Sequence, residues 1–215
     1  MKLSLAQLSL WLRWIALTTV GGISGLLITM ILPLDSLFFI GSYTLASVLA
    51  CMGQWLLLDK LIHARKGWIA TGLAGLIAPI VLLMTATQLG AMAGADNPLL
   101  RNLLTYLGVG IGGLLTGLLL GNLQRAAVLQ RSLEETRGWM LATGLAWGFG
   151  WAIGTTIPGI DPPTANDPVR IIIGWLVSWV IIGAITGGML LYLLPSKREQ
   201  PVQVKKEIVQ ESKQS

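Results

Sequence analysis

Charge is confined to short clusters in this chain. The six stretches between them, 14–34, 36–58, 67–95, 102–124, 138–160 and 171–196, hold no Asp, Glu, Lys, Arg or His. Each is at least as long as the about 20 residues that cross the hydrocarbon core of a bilayer. Unpaired backbone groups are so costly in lipid that a spanning segment must be a helix or part of a closed barrel. These stretches lack the apolar–polar alternation of barrel strands. The pattern predicts an all-α, polytopic membrane protein. Its six transmembrane helices fall near 14–32, 36–58, 68–94, 102–123, 138–160 and 171–194, as three tandem helical hairpins. Residues 1–194 make up this transmembrane domain. Residues 195–215, rich in Lys, Glu, Gln and Ser, are expected to be a disordered cytoplasmic tail that touches the membrane surface through Lys205 and Lys206. Composition agrees: 53% of residues are hydrophobic and 12% charged, against roughly 25% charged in soluble domains. A soluble enzyme and a secreted disulfide domain are excluded.

The charged clusters also orient the chain. Thirteen of the 15 basic residues lie on one side of the six spans. They are Lys2 and Arg13 at the N-terminus, Lys60, Arg65 and Lys66, then Arg125, Arg131 and Arg137, and finally five in the tail. That side nets +7; the other, with Arg101, Arg170, Asp35, Asp96, Asp161 and Asp167, nets −2. The positive-inside rule therefore places both termini in the cytoplasm, with the chain in the cell (inner or plasma) membrane. The basic balance, with pI ≈ 9.7, is read as a topology signal and an attraction to anionic lipid headgroups, and no nucleic-acid partner is expected. Trp11, Trp14, Trp55, Trp68 and Trp139 fall at the inner boundary, where an interfacial aromatic belt is expected. Arg13 interrupts the first apolar run and no small-residue cleavage site follows it, so the first helix is expected to be retained. Residues 3–12 read as a short lead-in helix near the interface.

Internal similarity supports the hairpin organisation. Inner-side entries repeat a basic residue followed by Trp and small residues: Arg13-Trp14, Lys66-Gly67-Trp68 and Arg137-Gly138-Trp139. Outer turns repeat as Asp96-Asn97-Pro98 and Asn166-Asp167-Pro168, each with an Arg shortly after, and Leu32-Pro33-Leu34-Asp35 is a weaker third copy. Asn97 and Asp167 can each cap a helix whose first residue is proline, where the missing N–H costs nothing. Gly53, Gly121 and Gly187 recur at spacings of 68 and 66 residues. Such repeats are parallel, unlike the inverted repeats frequent in transporters. Gly53-Gln54-Trp55 and Trp139-Met140-Leu141-Ala142-Thr143-Gly144 make roughly residues 40–194 resemble a group of bacterial, often cyanobacterial, multi-pass membrane proteins of uncharacterised role. In the second copy Arg125 follows Gln124 where that pattern has Trp. The resemblance implies architecture and no activity, and it adds the thylakoid membrane as a location if the source is cyanobacterial.

Candidate sites are few. Small-xxx-small pairs, among them Gly21/Gly25, Gly113/Gly117, Gly150/Gly154 and Gly183/Gly187, form flat stripes suited to close helix packing, within the chain, against partner membrane proteins or in a homo-oligomer. Trp147/Trp151 and Trp175/Trp179 are spaced i, i+4, so each pair shares one helix face. At 1.5 Å rise per residue, Trp151 and Trp179 lie roughly 20 and 22 Å above the inner ends of their helices. The two pairs can therefore meet as an aromatic wall for a lipid, quinone or pigment. Pro79 is expected to kink the third span, where Thr85 and Gln88 are the mid-span polar groups able to contact a neutral substrate. Gln54, Asn122 and Gln124 near the inner ends read as interhelical hydrogen-bonding residues. Gly108-Val109-Gly110-Ile111-Gly112-Gly113 matches a dinucleotide-binding fingerprint in letters, but it lies inside a predicted membrane helix rather than between a strand and a helix start, so it is read as a chance match.

Chemistry has little to draw on. With one His, His63, and one Cys, Cys51, no zinc tetrad or catalytic triad is available, and no cofactor is expected. Proton and ion pathways usually carry an ionisable group inside the membrane, and these spans have none. The leading expectation is a non-catalytic scaffold, assembly factor or subunit of a membrane complex. A transporter or channel for a neutral or amphipathic solute is the alternative, and a lipid, quinone or pigment binder the third.

Overall fold

The computed structural model describes residues 4–32, 38–62, 67–92, 97–131, 136–157 and 167–194. The C-terminal tail, Asp35, His63, Asp96 and Asp161 lie outside the described residues. Every element within them is helical: α1 (Leu5–Ile31), α2 (Phe38–Ile62), α3 (Gly67–Thr71), a 3-10 turn (Gly72–Leu76), α4 (Ala78–Ala91), α5 (Pro98–Ala127), a second 3-10 turn (Leu129–Arg131), α6 (Arg137–Thr156) and α7 (Pro168–Leu193).

Helix starts follow from local chemistry. Ser4 and Gln7 form a reciprocal capping box at the start of α1. Asn97 Oδ1 accepts from the Leu100 N–H at 3.0 Å, and Asp167 Oδ1 from the Val169 N–H at 2.9 Å. Pro98 and Pro168 occupy the first helical positions behind those caps, and Arg170 pairs with Asp167 at 3.5 Å. The lead-in expected over residues 3–12 is not a separate helix. It continues without a break into the first span, because the capping box starts α1 at Leu5 and Trp11 Nε1 bonds the Ala184 carbonyl of α7 at 2.9 Å. The third span is a composite. The 3-10 turn separates α3 from α4, and Pro79 stands in the first turn of α4.

Among the described residues, five stretches are long and apolar enough to cross a membrane: Leu5–Ile31, Ile40–Ile62, Gly67–Ala91, Pro98–Ala127 and Pro168–Leu193. The 20-residue α6 is not among them, because its glycines, threonines and three tryptophans lower its hydropathy. It packs between α5 and α7 and keeps an outward apolar stripe of Leu141, Leu145, Phe149 and Ile153. The other helices pack in chain order, and α7 returns against α1, which closes the ring.

The polarity of this ring is inverted relative to a soluble domain. Leu83, Leu103, Leu141, Phe149 and Val20 point outward, while Thr18, Ser47, Gln54, Gln124, Thr143, Ser178 and Thr186 are buried. Soluble proteins rarely expose contiguous apolar faces of this kind. The chain is a membrane-embedded helical protein.

Glycines sit where the backbones come closest. A Cβ at Gly21 would lie 2.5 Å from the Ala50 amide nitrogen of α2, and one at Gly113 would lie 2.6 Å from the Trp147 carbonyl oxygen of α6. On α5, Gly108 and Gly112 face α4, whereas Gly113, Gly117 and Gly121 face α6. Gly150 and Gly154 meet α7, and Gly183 and Gly187 meet α1. These stripes are covered by neighbouring helices of the same chain, so a partner or second copy would not find them open.

Candidate functional site

The interior is built around tryptophan. Six of the nine, Trp14, Trp68, Trp139, Trp147, Trp151 and Trp179, are the largest fully buried side chains. They form two layers.

The inner layer joins Trp14 of α1, Trp68 of α3 and Trp139 of α6, with ring centroids 5.7–6.3 Å apart. Each indole N–H is spent on a polar side chain of a neighbouring helix. Trp14 donates to Thr186 Oγ1 at 3.0 Å, Trp68 to Gln54 Oε1 at 3.2 Å and Trp139 to Gln124 Oε1 at 2.9 Å. The amides pass the network on. Gln54 Nε2 donates to Thr18 Oγ1 at 2.9 Å, and Gln124 Nε2 to Cys51 Sγ at 3.7 Å. Gln54 and Gln124 thus bond between helices as their sequence positions suggested, whereas Asn122 faces outward.

This layer corrects the expected aromatic belt. Trp14 and Trp68 are 0% exposed and Trp139 1%, so none of the three can face lipid headgroups. Trp11 and Trp55 are only partly buried. The available signal was the threonine three or four residues after each buried tryptophan, Thr18, Thr71 and Thr143, which puts a polar group on the same helix face. A belt tryptophan needs no such companion.

The outer layer brings together both sequence-predicted pairs. Trp147, Trp151, Trp175 and Trp179 form one cluster: Trp147–Trp179 centroids are 5.8 Å apart and Trp151–Trp175 centroids 5.1 Å, both edge to face. Tyr43 of α2 joins it, 4.6 Å from Trp151 and 5.1 Å from Trp175. Sequence reasoning missed Tyr43, since one tyrosine in an apolar run has no periodic signature. The rings fill the space between one another rather than framing an open wall. Gly22 of α1 admits the Trp179 ring against its backbone.

Pro79, Thr85 and Gln88 do not converge. Pro79 is buried at the start of α4. Thr85 is half-buried and donates within its own helix, to the Val81 carbonyl at 2.8 Å. Gln88 lies on the exposed face.

Between the two layers lies a cavity of about 20 Å³. Its wall is drawn from α2, α5, α6 and α7, with Ser47, Cys51, Gln54, Gln124, Thr143, Trp179 and Thr186 contributing the polar or partly polar groups. No charged side chain lines it. Among the described residues no cluster of His, Cys, Asp or Glu could hold a metal ion. Most buried polar atoms here are satisfied, but Ser47 Oγ and Trp179 Nε1 have no hydrogen-bond partner, nor do Thr19 Oγ1 and Trp151 Nε1 elsewhere in the interior.

No protein-family model, curated protein or solved structure matches this chain.

Proposed function

We propose that this chain is a six-span membrane protein built from three tandem hairpins. It acts by association, as a non-catalytic scaffold, assembly factor or subunit of a membrane complex. The observation that carries this reading is the filled interior. Six fully buried tryptophans occupy the bundle, and the cavity between them measures about 20 Å³. What the molecule offers to others is its outer surface, where large aliphatic side chains from α1, α4, α5 and α6 are exposed. Helices in lipid associate through packing and interhelical hydrogen bonds rather than a hydrophobic drive.

The hairpin reading draws support from the inner layer. Trp68 on α3 bonds Gln54 on α2, Trp139 on α6 bonds Gln124 on α5, and Trp14 on α1 bonds Thr186 on α7. Taking α3 and α4 as one span, each odd span donates to the even span before it, and the last pairing closes the circle. A threefold repeat produces this pattern, with threonine replacing glutamine in the third copy.

The test is gentle extraction of native membranes, followed by crosslinking and sizing. The chain is expected in an assembly well above its own 23.0 kDa. Recovery as a monomer without crosslinked partners overturns the association reading. A solute path would require the small cavity to extend through both aromatic layers. Flux of a neutral solute in reconstituted vesicles would favour that alternative.

A further inference from the structure

We infer that the central cavity is a binding site for a single water molecule, held between Trp179 on α7 and Ser47 on α2. Three observations converge on it. Both side chains line the same cavity, both are 1% exposed or less, and both leave their polar atom without a partner in the protein. A buried polar group with no partner forfeits its hydration and gains nothing in return, and low dielectric makes such a group still less favourable. Two unpartnered polar side chains in the wall of one void point to a built site, and Ser47 Oγ lies at its edge beside Gly75 of the 3-10 turn.

The occupant follows from size and chemistry. A cavity needs roughly 10–15 Å³ to accept one water, and this one measures about 20 Å³. A lipid tail, quinone or pigment is far too large. The absence of charged groups in the wall removes the means to compensate an ion, which is prohibitively costly to desolvate unpaired. An apolar gas atom would leave both polar groups unmet. Water meets both: its oxygen accepts from the indole N–H, which can only donate, and one hydrogen goes to Ser47 Oγ. Buried waters typically make about three hydrogen bonds. One further donor, the Nε2 of Gln54 or of Gln124 in the same wall, supplies the third, since each carries a second hydrogen beyond the bond to Thr18 or Cys51.

This site goes beyond the proposed association role and does not depend on it. The backbones of α2 and α7 do not approach each other, and the two helices touch through Tyr43 and Trp175, so the water ties them together at a second point. It also connects the hydrogen-bonded inner layer to the outer aromatic cluster.

The experiment uses the full chain in detergent micelles, labelled with 15N at the tryptophan indoles. Rotating-frame cross-relaxation between water and each indole proton should give a cross peak for Trp179 and none for Trp68, whose N–H is committed to the Gln54 amide. A second readout is the melting temperature of Ser47→Ala. With a bound water, the substitution removes one of its partners and Tm falls. With a dry cavity, it removes an unsatisfied hydroxyl and Tm rises. Absence of the Trp179 cross peak in wild type, or a raised Tm in Ser47→Ala, overturns the assignment.

Discussion

Trp139 and Gln124 illustrate how one residue pair supports this interior. The indole ring packs against Trp14 and Trp68, and its N–H gives Gln124 Oε1 a donor at 2.9 Å. These contributions are separable. Trp139→Phe keeps most of the ring contact and leaves the buried amide oxygen without its donor. The expected loss is about 0.5–2 kcal/mol, the range for interhelical hydrogen bonds in membrane proteins, read from reversible unfolding in mixed micelles. Trp139→Ala should cost about 3–5 kcal/mol, because a large void is added. Equal losses for the two variants would show that the hydrogen bond, not the ring, is the whole contribution.

At the scale of the element, α5 presents two glycine faces at once. Gly108 and Gly112 meet α4, while Gly113, Gly117 and Gly121 meet α6. In lipid the helices gain no hydrophobic drive to associate, so close approach through small residues supplies the packing. Gly113→Leu would press a side chain into the Trp147 backbone, which cannot rotate away, and a stability loss of about 1–3 kcal/mol is expected. Gly188 on α7 is the contrasting case, because a Cβ there would meet nothing within 4 Å. Gly188→Leu should therefore stay within about 0.5 kcal/mol of wild type. Thermal or denaturant unfolding of the two variants side by side checks this. A tolerated Gly113→Leu would mean that α5 and α6 are not packed as described.

The whole molecule is a closed ring of helices with tryptophans and polar side chains inside and aliphatic ones outside, and its distribution of charge predicts an orientation. Alkaline phosphatase inserted within residues 161–166 should be active, and the same reporter appended after Ser215 inactive. This follows from the thirteen basic residues on the expected cytoplasmic side. The reverse pattern would refute the assigned topology.

How much of this was legible beforehand depends on how local each determinant is. The caps at Asn97 and Asp167 depend on residues within one helical turn, so the sequence shows them directly. Helical character and lipid exposure follow from long uncharged runs, because the bilayer penalises every unpaired backbone group. The meeting of Trp147/Trp151 with Trp175/Trp179 was readable from i, i+4 spacing and matched heights on antiparallel helices. The inner tryptophans left only an indirect signal, the threonine one turn after each. A basic residue followed by Trp at a helix end fits either a lipid-facing belt or a buried layer. What separates the two is whether an acceptor such as Gln54, Gln124 or Thr186 waits on a neighbouring helix. Tyr43 and the cavity at Ser47 and Trp179 likewise exist only where helices distant in sequence converge. The sequence by itself determined the helical character, the caps at Asn97 and Asp167 and the affinity for lipid, because those depend on neighbours along the chain. Only the tertiary structure decided which side chains face inward and which polar atoms remain unpartnered, because both depend on neighbours across the ring.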